Sequence, residues 1–264
     1  MRRSNSSNNG ISEVSSVSNC PFIEIIFQND KIIATNNDTM NPYLVEFFTA
    51  IHSVTSKYIV SHLANNSSEV NLCRKVYRKH LQATYLQAER SFTYELYHQW
   101  SKNNSHDSLM INAELPKNVT DIVNQRPRAL TYPDMFLHQG QGDSGPNILV
   151  CEIKNLSYAI EKPIEVIKDI EKLINYTNEI FVMPEGQGCP SYEIGVFLLF
   201  YNTQREDDLK KLINKICHLR VFEQLKRHYE RMDRIYIVLY NEQRKLKYWN
   251  AQSALKWLIN ELKE

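Results

Sequence analysis

An acid and a lysine, Glu152 and Lys154, end a strongly apolar run that begins near Ile148. Side chains of a β-strand alternate between its two faces, so Glu152 and Lys154 point to the same face. The residues before them are apolar on both faces, which predicts a central strand covered on both sides. Because burying an unpartnered charge is costly, the two groups are expected to pair or to bind a cation. This pattern indicates a functional site.

A second acid, Asp134, follows Pro133 on the preceding strand-like run, residues 129–138. Proline cannot donate a hydrogen bond to a neighbouring strand, so Pro133 predicts a bulge or an edge position beside the acid. A turn-rich segment, residues 139–146, leads to the strand that carries Glu152. If the two strands pair, Asp134 and Glu152 converge and can share one cation. Oxygen ligands of this kind suit Mg²⁺, which keeps several of its waters.

A third carboxylate, Glu95, is predicted on the helix that precedes these strands. An apolar stripe at helical spacing runs along this helix and is formed by Leu81, Tyr85, Ala88 and Phe92. Glu95 continues the stripe three residues after Phe92, which predicts an inward-facing side chain. A buried glutamate is rare without a partner, and the same metal ion would supply one.

The elements needed to position these residues follow from hydrophobic periodicity and turn signals. Strands are predicted at residues 109–115, 129–138, 148–154, 192–201 and 234–240. Helices are predicted at residues 42–100 with a break near 65–68, and at 163–178, 206–231 and 252–263. This order of helices and strands predicts an α/β domain with a mixed sheet.

The chain of 264 residues is divided into three predicted parts. Residues 1–19 are rich in Ser and Asn, a composition that favours disorder. Residues 20–82 are predicted to form a mostly helical N-terminal extension, with a short hairpin at 22–33 that turns at Asn29-Asp30. Residues 83–264 are predicted to form the α/β domain.

The acids, the lysine and their elements together resemble the PD-(D/E)xK nuclease superfamily, which has the restriction-endonuclease-like fold. The matching positions are a helical Glu95, Pro133-Asp134 on one strand and Glu152-Ile153-Lys154 on the next. The resemblance covers about residues 85 to 240. It implies a central mixed β-sheet flanked by helices, here with the N-terminal helical extension.

The resemblance also implies a metal-dependent endonuclease that hydrolyses phosphodiester bonds. Asp134 and Glu152 would ligate Mg²⁺ together with the backbone carbonyl of Ile153, and Mn²⁺ would substitute. Glu95 would bind that metal, a second metal or a metal-bound water. Lys154 would orient the attacking water, lower its pKa or stabilise the pentacovalent phosphate. Such a site supplies a hydroxide-like nucleophile and offsets charge on the phosphoryl oxygens.

Nucleic acid is the implied partner, with DNA favoured over RNA, and a homodimer or a partner protein is compatible with the sequence. The net charge of +1 does not reveal where a nucleic acid would bind. Basic residues that could contact phosphates are Arg126 and Arg128, and the cluster Arg74, Lys75, Arg78 and Lys79. A solvated helix face explains the cluster equally well. Lys172 is predicted on a solvated face because its helical angle places it away from an isoleucine stripe.

Composition limits the remaining classes of protein. The chain is 42% hydrophobic and 23% charged, as in ordinary globular proteins. No apolar run approaches the length of a membrane span, which predicts no membrane partner. The five cysteines are scattered and form no CxxC motif, so neither a disulfide framework nor a zinc knuckle is indicated. A reducing, cytoplasmic location is therefore expected.

Two alternatives to a nuclease follow from the same sequence. The first is a catalytically inactive nuclease-like subunit that binds nucleic acid or serves in assembly, which the near-neutral charge and the N-terminal extension would suit. The second is another metal-dependent hydrolase or a nucleotide-binding α/β protein. The second is disfavoured because the glycine-containing segment Gly140-Gln141-Gly142 lies between two strands and does not precede a helix.

Overall fold

The computed structural model describes residues 22–29, 31–34, 40–59, 74–104, 108–113, 120–121, 126–127, 133–139, 146–178, 181–182, 188–189, 191–202, 206–220 and 222–261. The strands are β1 (Ile23–Gln28), β2 (Lys31–Ala34), β3 (Leu109–Ala113), β4 (Thr120–Asp121), β5 (Arg126–Pro127), β6 (Met135–Gln139), β7 (Asn147–Asn155), β8 (Phe181–Val182), β9 (Gly188–Cys189), β10 (Tyr192–Tyr201), β11 (Ile235–Asn241) and β12 (Leu246–Asn250). The α-helices are α1 (Pro42–Ser53), α2 (Arg74–Asn103), α3 (Leu156–Glu161), α4 (Pro163–Asn178), α5 (Glu206–Cys217), α6 (Phe222–Arg227) and α7 (Ala251–Glu261).

Eight strands form one mixed sheet in the order β2-β1-β12-β11-β10-β7-β6-β3. Strand β10 runs parallel to both β7 and β11, and the other neighbours are antiparallel. Parallel strands need a crossover, and α3 and α4 supply it between β7 and β10. The broad prediction of an α/β fold with a mixed sheet flanked by helices is confirmed.

Strands β7 and β10 lie near the middle of this sheet and are buried along almost their whole length. Lys154 in β7 and Glu193 in β10 are the exceptions. Helices α1 and α2 contribute to an apolar cluster on one face, and α3 to α7 contribute to a second cluster on the other. Apolar side chains on both faces of β7 are therefore explained by two covering layers, as the sequence predicted.

Aromatic packing fixes α2 against the sheet. The rings of Phe92 and Phe200 stack with centroids 4.3 Å apart. Trp100 packs edge-on against Phe47 of α1, with centroids 4.7 Å apart, and its indole N–H donates to Glu46 Oε1 at 3.2 Å. Such aromatic pairs hold their rings in defined orientations. The position of α2 matters because this helix carries Glu89, whose carboxylate contacts Asn155 and Lys154 of β7.

The N-terminal residues belong to the main sheet, which differs from the predicted helical extension. The predicted hairpin is present, with Asn29 in the left-handed region at φ 51°. Its strand β1 also pairs with β12, near the C-terminal end of the chain. Helix α1 packs in the same apolar cluster as β7 and β10. Hairpin and helix bury apolar surface on the sheet, so they are structurally part of it.

Several further elements differ from the predictions, among them the short strands β4, β5, β8 and β9, which were not predicted. The predicted helix 206–231 is divided into α5, α6 and a 3₁₀ turn. Helix α5 ends at Cys217, and the Leu219 N–H donates to the Ile216 carbonyl, three residues earlier. The break lets Phe222 and Leu225 reach the core. Helix α3 and strand β12 were not predicted; α3 is short, with its N-terminus capped by Asn155.

Within the described ranges, no helix is long and apolar enough to cross a membrane.

Candidate active site

The predicted strand acids meet at the carboxyl end of β7. Strand β6 pairs with β7 from Met135 onward, and Asp134 lies just before that pairing begins. Asp134 Oδ2 accepts a hydrogen bond from the Ile153 N–H at 2.6 Å. The side chain of Asp134 therefore satisfies a strand amide of β7. The bulge or edge position expected beside Pro133 stays a prediction, because residues 128–132 lie outside the described residues and the irregularity between β6 and β7 lies at Leu137 and His138.

Glu89 of α2 is the helical acid that reaches this site. Its Oε1 accepts a hydrogen bond from the Asn155 N–H at 3.0 Å, and its Oε2 lies 3.8 Å from Lys154 Nζ. The residue is 7% exposed. Glu89 thus joins α2 to the end of β7 through a backbone amide and a lysine on the same strand.

Glu95, the predicted helical acid, lies outside this cluster. It is half-buried, accepts a hydrogen bond from Gln99 Nε2 at 2.8 Å and lies 3.9 Å from His98 Nδ1. At about 100° per residue, a six-residue step turns Glu95 well away from the direction of Glu89. The signal that could have identified Glu89 is its spacing from the buried residues Phe92, Leu96 and Trp100.

Helix α4 adds two charged residues that were not predicted in the site. Asp169 Oδ2 lies 3.2 Å from Lys154 Nζ, and Asp169 Oδ1 lies 2.6 Å from Lys172 Nζ. Lys172 Nζ also lies 3.2 Å from Glu152 Oε2. The predicted solvated position of Lys172 is therefore wrong. Helical angle showed that it faces away from the apolar stripe, but the charged end of β7 lies on that side.

The site contains more carboxylates than ammonium groups among the described residues. Glu89, Asp134, Glu152 and Asp169 contribute four acids, and the bases are Lys154 and Lys172. If all are ionised, two negative charges are left without a compensating charge. Glu152 is 1% exposed and Asp169 is 3% exposed, so water contributes little to offset them. A divalent cation would balance this excess.

The pKa values of the acids reflect this environment. Burial raises the pKa of Glu89 to about 7, although Lys154 and the Asn155 N–H oppose the rise. Burial also raises the pKa of Asp134. Burial raises the pKa of Glu152 well above its usual range, and the nearby charges of Asp134 and Asp169 add to the increase. Burial is the main cause of all three shifts, so the neutral carboxyl form is favoured at these positions.

The pKa values of the two lysines are also raised, which for a lysine favours the charged form. Burial by itself would lower the pKa of Lys154, but the charges of Asp169 and Glu89 outweigh it and raise that pKa above its ordinary value. The pKa of Lys172 is raised in the same way by Glu152 and Asp169. Both side chains are therefore ammonium ions at neutral pH.

One carboxylate oxygen in the site has unused capacity for a ligand. Glu152 Oε1 is buried and makes no hydrogen bond to the described residues. Asp169 Oδ2 lies 3.2 Å from Lys154 Nζ and is engaged in that ion pair. A hard cation such as Mg²⁺ takes oxygen ligands, so the carboxylate oxygens and the excess of negative charge in the site both suit it.

The carboxylates do not form a ready-made metal cage. In the part of the chain that the structure describes, no group of three or more His, Cys, Asp or Glu side chains is arranged to hold a metal ion. Lys154 lies between Glu89 and Asp169, and Lys172 lies between Glu152 and Asp169. Binding of a cation would therefore require these ion pairs to rearrange.

The structure does not describe the side chains of the residues that were predicted to contact phosphates. Arg126 is in the short strand β5, and Arg128 lies outside the described residues. Arg74, Lys75, Arg78 and Lys79 are in the first turns of α2, before its described side chains begin at Ala88. Their role in nucleic-acid binding stays a prediction.

Comparisons with protein-family models, with curated proteins and with solved structures each gave no match for this chain.

Proposed function

We propose that this chain is a metal-dependent endonuclease of the PD-(D/E)xK type that hydrolyses phosphodiester bonds in DNA. The observation that carries the proposal is the convergence of Asp134, Glu152 and Lys154 with a helical glutamate, Glu89, at the end of one central strand. Buried and half-buried acids beside a half-buried lysine form a combination that serves phosphodiester hydrolysis and has little value for stability alone.

The arrangement of elements supports the proposal. Glu89 lies in α2, Asp134 just before β6 and Glu152 in β7, which is followed by the crossover through α3 and α4 to β10. Within the main sheet, α2, the three strands β3, β6 and β7, the crossover helices and β10 follow the order that the resemblance implies. The restriction-endonuclease-like fold is therefore part of the same proposal.

The proposed ligands of Mg²⁺, or of Mn²⁺ in its place, are Asp134 and Glu152 with the backbone carbonyl of Ile153. Glu89 takes the place that the resemblance gave to Glu95. When bound, the metal would lower the pKa of a water molecule and offset charge on the phosphoryl oxygens. Asp134 is held in place by its hydrogen bond from the Ile153 N–H.

The protonation state of Lys154 limits the catalytic roles that this residue can have. Because its pKa is raised by Asp169 and Glu89, its Nζ keeps its proton at neutral pH. It cannot then accept a proton from water as a general base. It would instead orient the attacking water or stabilise negative charge on the phosphate, as a fixed ammonium does well in a site from which water is largely excluded.

The test is a cleavage assay on supercoiled, linear and single-stranded DNA and on RNA, with Mg²⁺, Mn²⁺ or chelator. We expect metal-dependent cleavage of DNA that Lys154→Met reduces by at least about a hundredfold, the order of a lost electrostatic catalytic group. The matched control is Lys168→Met on α4, because Lys168 is exposed and pairs only with Glu165 among the ion pairs described. Cleavage that survives Lys154→Met at the wild-type rate would refute the proposal.

An inactive subunit that binds nucleic acid is the second candidate. It is favoured by the ion pairs themselves, because Lys154 and Lys172 already engage the carboxylates of Glu89, Asp169 and Glu152. Calorimetric titration with Mn²⁺ separates the two candidates. An endonuclease should bind the ion and lose binding in Asp134→Asn, which can still accept from the Ile153 N–H. Absence of binding to the wild type would favour the inactive subunit.

A further inference from the structure

We propose that Lys172 is an internal counter-cation of the metal-free site, and that its ammonium must leave Glu152 before a divalent cation can bind there. This inference rests on the proposed function, because it assumes that Glu152 is a metal ligand. It assigns to Lys172 a control over metal affinity. Lys172 is thus a residue that competes with the metal and not one that ligates it.

The position of Lys172 is the first support. Its Nζ lies 3.2 Å from Glu152 Oε2 and 2.6 Å from Asp169 Oδ1, so it bridges an acid of β7 and an acid of α4. The other Glu152 oxygen, Oε1, is buried and makes no hydrogen bond to the described residues. Lys172 therefore neutralises Glu152 from one side only, and the second oxygen is buried without a hydrogen bond from the described residues.

Electrostatic competition is the second support. A divalent cation bound to Glu152 would lie within a few ångström of the Lys172 ammonium, in a site where burial weakens solvent screening. The repulsion between the two would oppose metal binding for as long as Lys172 stays at Glu152. Removing the lysine charge should therefore strengthen binding of the metal.

Exposure distinguishes Lys172 from the other lysine of the site. The side chain of Lys172 is 31% exposed, against 15% for Lys154. A lysine can swing its ammonium into water along its flexible four-carbon chain while the chain itself stays packed. Lys154 lies between Glu89 and Asp169 and has less access to solvent, so it is suited to stay in place when a metal binds.

The test measures metal affinity and not cleavage. Full-length protein is stripped with chelator, and Mn²⁺ is titrated by calorimetry into the wild type, Lys172→Met and the control Lys168→Met. We expect Lys172→Met to bind Mn²⁺ about tenfold more tightly than the wild type, since a competing charge is gone. We expect Lys168→Met to match the wild type. Lys172→Arg, which keeps the charge, should not show the gain.

A metal-free stability measurement gives a second readout. Without metal, Lys172→Met leaves Glu152 and Asp169 without this ammonium, so its melting temperature should fall below that of the wild type. Added Mn²⁺ should raise the melting temperature of the variant more than that of the wild type. If Lys172→Met does not fold, Lys172→Gln replaces it and the same results are required.

The outcomes separate the inference from the proposed function. If the wild type binds Mn²⁺ and cleaves DNA but the uncharged variant binds no more tightly, the inference is overturned and the proposed function stands. If the wild type binds no Mn²⁺, both are overturned. If the variant binds more tightly and Lys172→Arg does not, the counter-cation role of Lys172 is supported.

Discussion

Replacing Glu89 by Gln should change how the stability of the metal-free protein depends on pH. Burial raises the pKa of Glu89 to about 7 from an ordinary value of 4.5. The folded protein therefore holds a proton on Glu89 at pH values where the unfolded chain has released it. Stability that comes from this group is present below the unfolded pKa and is lost as pH rises from 4.5 through about 7.

The size of the effect follows from the pKa difference. Each pKa unit corresponds to roughly 1.4 kcal/mol, so the shift of Glu89 is equivalent to about 3 kcal/mol of unfolding free energy. Gln keeps a carbonyl oxygen that can accept from the Asn155 N–H but has no proton to lose. Asp134 and Glu152 also have raised pKa values, and they remain in both proteins.

Urea unfolding in the presence of chelator measures this difference. Between about pH 5 and about pH 8, the wild type should lose roughly 2 to 3 kcal/mol more stability than Glu89→Gln. Glu95→Gln is the matched control, because it makes the same replacement on the same helix at a residue outside the carboxylate cluster. If the wild type and Glu89→Gln change in parallel over this range, the reasoning about Glu89 is wrong.

Two predictions concern stability away from the site. Gly195→Ala should destabilise the fold by about 1 to 3 kcal/mol in urea unfolding, because the added Cβ would lie 3.1 Å from Thr177 Cγ2 in a packed interface. A variant as stable as the wild type would show that the space around Gly195 can accommodate a methyl group. Tyr240→Phe should cost about 1 to 2 kcal/mol, since its hydroxyl donates to the Val54 carbonyl at 2.9 Å and the buried acceptor would lose that bond. A melting temperature equal to that of the wild type would show that this hydrogen bond contributes little.

The central part of the fold could be predicted because its sequence signals are local. Strand β10 has apolar residues on both faces, and its predicted bounds, 192–201, match the structure. Helix α4 begins at Pro163, where a proline fits the first turn, and it ends at Asn178 as predicted. Apolar periodicity and turn chemistry act within a few residues, so they can be recognised without knowing the rest of the chain.

The residues that form the site could be predicted only in part, because they are brought together by the packing of helices against strands. The strand residues Asp134 and Glu152 were identified from the charges that interrupt apolar strands. The choice between Glu89 and Glu95 depends on helix register, and α2 carries polar and apolar residues on several faces. Asp169 reaches the site through the crossover from β7 to β10, a contact that no spacing along the chain reveals.

The pairing of β1 with β12 has a consequence for how the protein folds. Ile23 lies opposite Tyr248, so the sheet joins segments that are far apart in the sequence. Until that contact forms, β12 presents an unpaired edge, and bringing such distant segments together is entropically slow. During synthesis on the ribosome, β1 cannot dock until β12 has emerged. Pairing of β1 with β12 is therefore a late step in the assembly of this sheet.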